Sequence, residues 1–292
     1  MSTAKGAGTR AARPPRVISL LSDYGLADGF VGALHCVIRA RLPTAPIVDI
    51  THEVAPCDIR AGSLALLRAA PYLPSGVVLA VVDPGVATPR RGVAVQAAGA
   101  DMFFVGPDNG LLPPAVDALG GPRLVVELQD RGYWSLAPGP TFAGRDIFAP
   151  AAALLAAGSD PLQLGAPVDA VDLVRLPPPQ VGKRLDGSCQ AEVTWVDHFG
   201  NVQLAARPAD LPSRPLVAVE LVGQPQVGPG GGRVARFVQA FAELEPGELG
   251  VLVDSYGQLA LVLDNADAAA SLNAHERDVV VLRPLGQRER VP

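Results

Sequence analysis

The order of apolar and polar positions predicts two different kinds of structure along the chain. Between residues 17 and 176, short apolar runs typical of buried strands alternate with stretches in which apolar residues recur at helical spacing. This alternation predicts an α/β domain in which helices flank a central, mostly parallel sheet. The predicted strands are residues 17–21, 47–50, 75–82, 93–97, 103–106 and 124–128, and the predicted helices are residues 28–41, a segment capped by Asp58, and residues 146–157.

The pattern changes after a proline-rich segment at residues 177–187. Its three consecutive prolines, Pro177 to Pro179, favour extended backbone and resist regular structure, so the segment is predicted to be a linker. Residues 188–292 then show short β-rich runs separated by turn residues, with little helical periodicity. They predict a small, mostly antiparallel, β-barrel-like domain.

Composition narrows the classes of partner. The 292 residues are 49% hydrophobic and carry a formal net charge of -5, which argues against binding to nucleic acid or to an anionic membrane. No apolar run approaches the roughly 18 residues of a membrane span. The three cysteines are too far apart for a disulfide framework or a metal site, so we expect no bound metal and a cytoplasmic location. Residues 1–16 lack the apolar stretch of a secretory signal and are predicted to be a disordered arm.

A charged turn follows the predicted strand at residues 75–82. It contains Asp83, the turn-forming pair Pro84-Gly85, and then Arg90 and Arg91. An acid at the carboxyl end of a strand, with a cation returning seven residues later, is a common way for an α/β sheet to present reactive groups. An ordinary surface ion pair would have the same sequence, so this turn alone leaves both interpretations open.

Further polar turns follow or end apolar runs, and each is expected at a sheet edge. They are Ser22-Asp23-Tyr24-Gly25, Pro107-Asp108-Asn109-Gly110, Thr141-Phe142-Ala143-Gly144-Arg145-Asp146 and Asp197-His198-Phe199-Gly200-Asn201. In this order, together with the Asp83 turn and Asp49-Ile50-Thr51-His52, they resemble the motifs of the S-adenosyl-L-methionine (SAM) hydroxide adenosyltransferase family. These SAM hydrolases are related to fluorinating and chlorinating enzymes. The resemblance extends over residues 17–282.

The resemblance implies a reaction in which water or hydroxide attacks the 5′ carbon of SAM, giving adenosine and L-methionine without a cofactor. Asp83 is the implied acceptor of the proton of the water, and Arg90 is implied to hold that carboxylate. The other implied residues bind substrate: Asp23 the ribose hydroxyls, Asp28 and Asp197 the methionine ammonium, Ser255 its carboxylate, Phe199 and Asn201 the adenine, and Asn109 a group near the reacting centre.

One departure from the family pattern bears on turnover. Ala143 stands where the family has a histidine that works with the acid and the arginine. Three outcomes stay open: slower hydrolysis by Asp83 and Arg90 alone, replacement of the histidine by another group such as His52, or loss of turnover with SAM or adenosine binding retained. A smaller departure is Ala87, where the family usually has glycine.

A SAM-dependent halogenase is the less favoured alternative. The halogenating relatives lack the acid at the Asp83 position, and a carboxylate there would repel a halide nucleophile. The resemblance also implies a homotrimer with SAM at the subunit interface, between the first domain of one subunit and the second domain of its neighbour. That arrangement would explain why the implied binding residues divide between the two halves of the sequence.

Overall fold

The computed structural model describes residues 14–135, 137–211, 215–223 and 232–285. The chain divides into two compact units, Met1–Leu176 and Pro177–Pro292. Most of the predicted arm, residues 1–13, lies outside the described residues. Within the described ranges, no helix has both the length and the apolar character needed to cross a membrane.

A seven-stranded sheet forms the centre of the first unit, with the strand order β2-β1-β3-β5-β4-β6-β7. Its strands are β1 (Val17–Ser22), β2 (Ile47–Thr51), β3 (Gly76–Val81), β4 (Gly92–Ala97), β5 (Met102–Pro107), β6 (Pro122–Glu127) and β7 (Pro167–Val168). The neighbours β2, β1, β3 and β5 are parallel, whereas β4 runs antiparallel to both β5 and β6 and β7 runs antiparallel to β6. Most strands therefore point the same way, which confirms the mostly parallel sheet expected from the sequence.

The helices of the first unit are α1 (Phe30–Arg41), α2 (Ile59–Ala69), α3 (Pro113–Ala118) and α4 (Ala149–Ala156). α1 buries Val31, Leu34 and Ile38, the helical spacing that predicted it. α2 begins where the Asp58 carboxylate accepts the Ala61 N–H at 3.0 Å, so the predicted cap is confirmed.

The helix predicted at residues 146–157 begins differently. Gly144–Phe148 forms a turn of π-helix with Ala143 as its N-cap, and α4 follows directly. Such π-turns are rare and often occur at functional sites. This turn therefore places Ala143 and its neighbours on a backbone that helical periodicity alone did not predict.

Three of the polar turns singled out in the first unit follow β1, β3 and β5 and lie at one edge of this sheet. Because β1, β3 and β5 are parallel neighbours, their carboxyl ends meet at the same edge, where open α/β sheets form their ligand sites. β1 ends at Ser22, β3 at Val81 and β5 at Pro107. Gly106 permits this close packing, because a methyl group there would collide with the Ala80 carbonyl oxygen.

The second unit is a closed β-barrel of seven strands in the order β10-β14-β13-β12-β11-β15-β9, with β9 pairing back to β10. The strands are β9 (Cys189–Val196), β10 (Val202–Leu204), β11 (Leu216–Leu221), β12 (Arg233–Phe237), β13 (Leu249–Val253), β14 (Leu259–Val262) and β15 (Val279–Pro284). All neighbours are antiparallel except β12 and β13. The predicted barrel-like domain is confirmed, and a short helix, α5 (Ala268–Leu272), packs against its core.

The segment at residues 177–187 is more than a linker. It contains a further strand, β8 (Val181–Lys183), which pairs antiparallel with β9. The prolines occupy only residues 177–179, so the N–H groups of the following residues remain able to pair.

Candidate active site

Asp83 follows β3 and forms a two-point ion pair with Arg90. Arg90 Nε donates to Asp83 Oδ1 at 2.8 Å, and Arg90 Nη2 donates to Asp83 Oδ2. The turn between them is closed by hydrogen bonds from Val86 N to Asp83 O and from Thr88 N to Gly85 O, both at 3.2 Å. The Asp83 side chain is only 5% exposed, and that of Arg90 is 16% exposed. The fork of the guanidinium therefore fixes the carboxylate in one orientation.

Ala87, in this turn, has a backbone conformation that alanine disfavours. Its φ is +63°, in the left-handed region where a Cβ costs roughly 1 kcal/mol or more. The family resemblance placed a glycine here, and the backbone shows the physical reason: glycine adopts this φ without strain.

A cavity of about 270 Å³ opens beside Asp83. Its lining combines two carboxylates with aromatic and small apolar side chains: Asp23, Tyr24, Phe30, Asp83, Val86, Thr141, Phe142 and Ala143. Three separate turns of the sequence thus contribute to one cavity, as their positions at one sheet edge predicted. Asp23 and Asp83, both predicted site residues, lie in it together with Ala143.

Asp23 is held by the loop that precedes α2. The Cys57 N–H donates to Asp23 Oδ2 at 2.9 Å, and Cys57 itself has a left-handed φ of +65°. Asp28 lies just before α1 and is exposed. It is not among the residues that line the cavity of Asp23 and Asp83.

Tyr24 is one of the cavity residues to which the sequence gave no role. Its ring packs edge-on against Phe142, with centroids 5.5 Å apart, and lies 5.8 Å from Phe30. Burial raises the pKa of Tyr24 above its usual range, and the charges of Asp23 and Asp83 raise that pKa further, while Arg90 opposes them. The one signal in the sequence was its place in the Ser22–Gly25 turn, directly after a predicted binding acid.

Asn109 lies in the turn after β5, and both polar atoms of its side-chain amide form hydrogen bonds within the protein. Its Nδ2 donates to the Val82 carbonyl at 2.8 Å, and its Oδ1 accepts the Leu111 N–H at 3.2 Å. Asn109 therefore joins the turn after β5 to the residue that precedes Asp83. The structure supports a positioning role for Asn109, whereas the sequence had suggested contact with substrate.

Ala143 lies between two cavities. It lines the one that holds Asp83, and it also lines a neighbouring cavity of about 460 Å³. The second cavity is bordered by Thr88, Arg90 and Trp134 among others. The Ala143 side chain itself is buried. A larger side chain at this position would extend into one of the two cavities.

His52, the candidate replacement for the missing histidine, is held elsewhere. Its Nδ1 lies 2.7 Å from Ser22 Oγ, and its Nε2 lies 3.1 Å from Asp49 Oδ1. Burial acts to raise the pKa of Asp49, but hydrogen bonds from His52 and His35 outweigh it and lower that pKa. His52 is buried and does not line the cavity of Asp83. Its contacts support a structural role.

In the second unit, Asp197 organises the loop between β9 and β10. Its Oδ1 accepts the N–H groups of Phe199 and Asn201, each at 2.9 Å. Its Oδ2 accepts Asn201 Nδ2 at 2.9 Å. Phe199 is 76% exposed, so this loop presents an aromatic ring on a backbone that the aspartate holds in place.

Phe199 and Asn201 line a cavity of about 640 Å³ together with Phe241, Leu263, Asp264, Asn265, Ala266 and Asp267. Ser255 does not share it. Ser255 lies in the exposed turn before β14, whereas Asn201 precedes Val202, which pairs with Leu261 near the other end of β14. The second unit therefore separates the predicted adenine contacts from the predicted carboxylate contact by most of the length of a strand.

Sequence comparison shows which proteins share this arrangement. The chain matches the N-terminal domain of SAM hydroxide adenosyltransferases over residues 18–165 and their C-terminal domain over residues 191–281. The chain belongs to the SAM hydroxide adenosyltransferase family. The family assignment made from the motifs is thereby confirmed, and the two matched regions include every predicted site residue.

Individual relatives carry two kinds of name. A family member from Salinispora tropica, named (R)-S-adenosyl-L-methionine hydrolase, is 47% identical over 91% of this chain and 97% of its own length. A protein of the same name from Thermus thermophilus is 36% identical over 89% of this chain and 97% of its own length. A fluorinase from Actinopolyspora mzabensis is 27% identical over 64% of this chain and 70% of its own length.

The fold is also that of a solved structure. An uncharacterized conserved protein from Thermotoga maritima superposes with a TM-score of 0.81 at 33% identity, covering 91% of this chain and all of that one (100%). The architecture of the family therefore extends over nearly all of the chain.

Proposed function

We propose that this protein is an enzyme that hydrolyses SAM to adenosine and L-methionine. The observation that carries the proposal is the cavity that joins Asp23 and Asp83, with Asp83 clamped by Arg90. A fixed carboxylate can orient a water molecule and accept its proton, and a second carboxylate on the same cavity suits the hydroxyls of a ribose. Family membership, and the hydrolase name of relatives that match nearly their whole length, support the same reaction.

The chemistry needs no cofactor in principle. The water oxygen forms a bond to the 5′ carbon as the bond from that carbon to sulfur breaks. The electron pair of the breaking bond goes to sulfur, which leaves as the neutral thioether of L-methionine. The proton of the water passes to Asp83 and then to solvent. What the protein supplies is orientation of the water and a negative group near the sulfonium.

The stereochemistry at sulfur defines the substrate more closely. A sulfonium with three different carbon substituents is a stereocentre, and the relatives are named for the (R) form. A protein that holds the adenosyl and methionine ends separately can distinguish the two epimers. We therefore propose (R)-SAM as the preferred substrate.

The remaining roles follow the family resemblance. The proposed contacts are Asp23 with the ribose, Asp28 and Asp197 with the methionine ammonium, Phe199 and Asn201 with the adenine, and Ser255 with the methionine carboxylate. The exposed ring of Phe199 and its shared cavity with Asn201 support the adenine assignment. We propose a homotrimer with the site at the subunit interface, because the proposed contacts divide between two compact units.

A cytoplasmic location is part of the same proposal. All three cysteines lie in the described part of the chain and none forms a disulfide, as a reducing compartment favours.

Turnover is tested by incubating the purified chain separately with (R)-SAM and (S)-SAM and measuring adenosine and methionine by chromatography. In water enriched in ¹⁸O, the label should enter adenosine and not methionine, because the 5′ carbon is attacked. Asp83→Asn should lower the rate by about 10²-fold or more and leave adenosine binding, measured by calorimetry, in place. Asp117→Asn, which alters a carboxylate that is 43% exposed in the same domain, is the matched control.

The second candidate is a SAM- or adenosine-binding protein without turnover, which Ala143 favours. It would be supported by measurable SAM binding with no adenosine above the uncatalysed background. That result would also contradict the hydrolase.

A further inference from the structure

We propose that the Tyr24 hydroxyl orients the attacking water at Asp83, a task for which Ala143 offers no polar group. This inference rests on the proposed hydrolysis and adds a residue to it. Tyr24 lines the same cavity as Asp83 and Ala143, so its side chain faces the volume in which the reacting water must lie.

The position of the hydroxyl is set by the π-turn. A methyl group on Gly144 would collide with Tyr24 Oη, so the hydroxyl lies directly against the residue that follows Ala143. Glycine at 144 is therefore what gives the tyrosine hydroxyl room next to Ala143, which lines the same cavity.

The loop around Tyr24 is fixed independently of any ligand. The Tyr24 N–H donates to Ser22 Oγ at 3.3 Å, and the N–H of the next residue, Gly25, donates to the His52 carbonyl at 2.8 Å. Phe142 and Phe30 both pack against the ring, and they also pack edge-on against each other. A hydroxyl on so constrained a ring loses little freedom when it binds a water, which is the condition for a useful positioning group.

Burial first, and the surrounding charges second, raise the pKa of Tyr24 and keep its hydroxyl protonated. Asp23, Asp83 and Asp146 all lie near enough to disfavour a phenolate, and only Arg90 among the interacting groups favours one. A neutral hydroxyl can donate to the water oxygen while Asp83 accepts the proton of that water. The two groups then define the direction in which the water lone pair points.

The decisive experiment measures kcat, KM and adenosine affinity for Tyr24→Phe, which keeps the ring and its aromatic contacts. We expect kcat to fall by about 10²-fold, the lower end of the loss seen when one preorganised donor is removed, with KM and adenosine affinity within about twofold and an unchanged Tm. Tyr72→Phe, at a tyrosine that is 79% exposed in the same unit, is the matched control and should match the unsubstituted protein.

A double-mutant cycle then tests whether Tyr24 and position 143 serve the same water. Ala143→His should raise kcat by a larger factor in the Tyr24→Phe background than in the parent. Ala143→Leu fills the space without a polar group and should raise it in neither. An equal effect of Ala143→His in both backgrounds, or an unchanged kcat in Tyr24→Phe, would overturn the role of Tyr24.

Failure of the underlying reaction has a different signature. If the unsubstituted protein itself releases no adenosine from either SAM epimer, the proposed hydrolysis fails. If the unsubstituted protein turns over and Tyr24→Phe turns over equally fast, only the assignment of Tyr24 fails.

Discussion

Neighbouring arginines allow a direct test of whether the Asp83 ion pair serves catalysis or only stability. Arg90 donates two hydrogen bonds to Asp83 and a third, at 2.9 Å, to the Arg91 carbonyl. Arg91 makes a comparable pair with Asp108, donating from Nε at 3.0 Å and from Nη2 at 2.6 Å, and it reaches the Asp172 carbonyl at 2.6 Å. Arg90→Ala and Arg91→Ala therefore remove similar sets of contacts one residue apart.

The two substitutions should cost similar amounts of stability. The Asp83 and Asp108 side chains are 5% and 2% exposed, so each substitution leaves a nearly buried carboxylate without its cation. Removing one partner of a buried ion pair costs about 3–5 kcal/mol. The free energy of unfolding of a typical protein is about 5–15 kcal/mol. Both variants should remain folded at low temperature with a lowered Tm.

Their activities should differ. Without Arg90 the base of the proposed reaction loses its fixed orientation, and misplacement by about 1 Å costs about 10²-fold in rate. We expect kcat for SAM hydrolysis to fall by about that factor in Arg90→Ala and by less than about threefold in Arg91→Ala, after correction for the folded fraction. We would compare the stability and the kcat of the two variants by measuring thermal unfolding and adenosine release on the same samples. An equal loss of kcat in the two variants would show that the Asp83 pair only supports the fold.

Three further substitutions test individual features. Ala87→Gly should raise the free energy of unfolding by about 0.5–1 kcal/mol, because it relieves a left-handed φ; an unchanged Tm would contradict the strain. Asn109→Ala should cost about 1–3 kcal/mol and lower kcat more than adenosine affinity, because the bond to the Val82 carbonyl is lost; a selective loss of affinity would instead indicate contact with substrate. A hydrogen bond from Arg236 lowers the pKa of Glu248 from 4.5 to about 2. The ionised Glu248 carboxylate therefore stabilises the fold above pH 4.5, and this stabilisation is lost as the pH falls towards 2. The difference in Tm between the parent and Glu248→Gln should therefore shrink over that interval, and a constant difference would contradict the assignment.

Local signals predicted most of the first unit. The 3.6-residue period identified α1, and a capping aspartate identified the start of α2, because both signals depend on residues close together in sequence. The prediction had ordinary helix begin at residue 146, whereas the structure begins two residues earlier with the turn at Gly144–Phe148. Its backbone is π-helical, and no residue type marks that difference.

The fold class of the second unit was predicted correctly, but several of its individual strands were not. Its longer runs, such as β9 and β15, carry enough β-branched residues to be recognised. Short β8, β10 and β12 were not predicted, because a strand of a few residues is defined by its partner more than by its own composition. The closure of β9 on β10 likewise depends on the whole barrel.

For the candidate site, the sequence alone determined which acids, amides and aromatics end each strand, and through them the family. Only the tertiary structure decided which of these share a volume. It placed Asp23, Tyr24, Asp83 and Ala143 around one cavity, and it committed the His52 ring to Ser22 and Asp49. The physical reason is that backbone periodicity is a local property, whereas the direction of a side chain and its hydrogen-bond partner are chosen by residues distant in sequence.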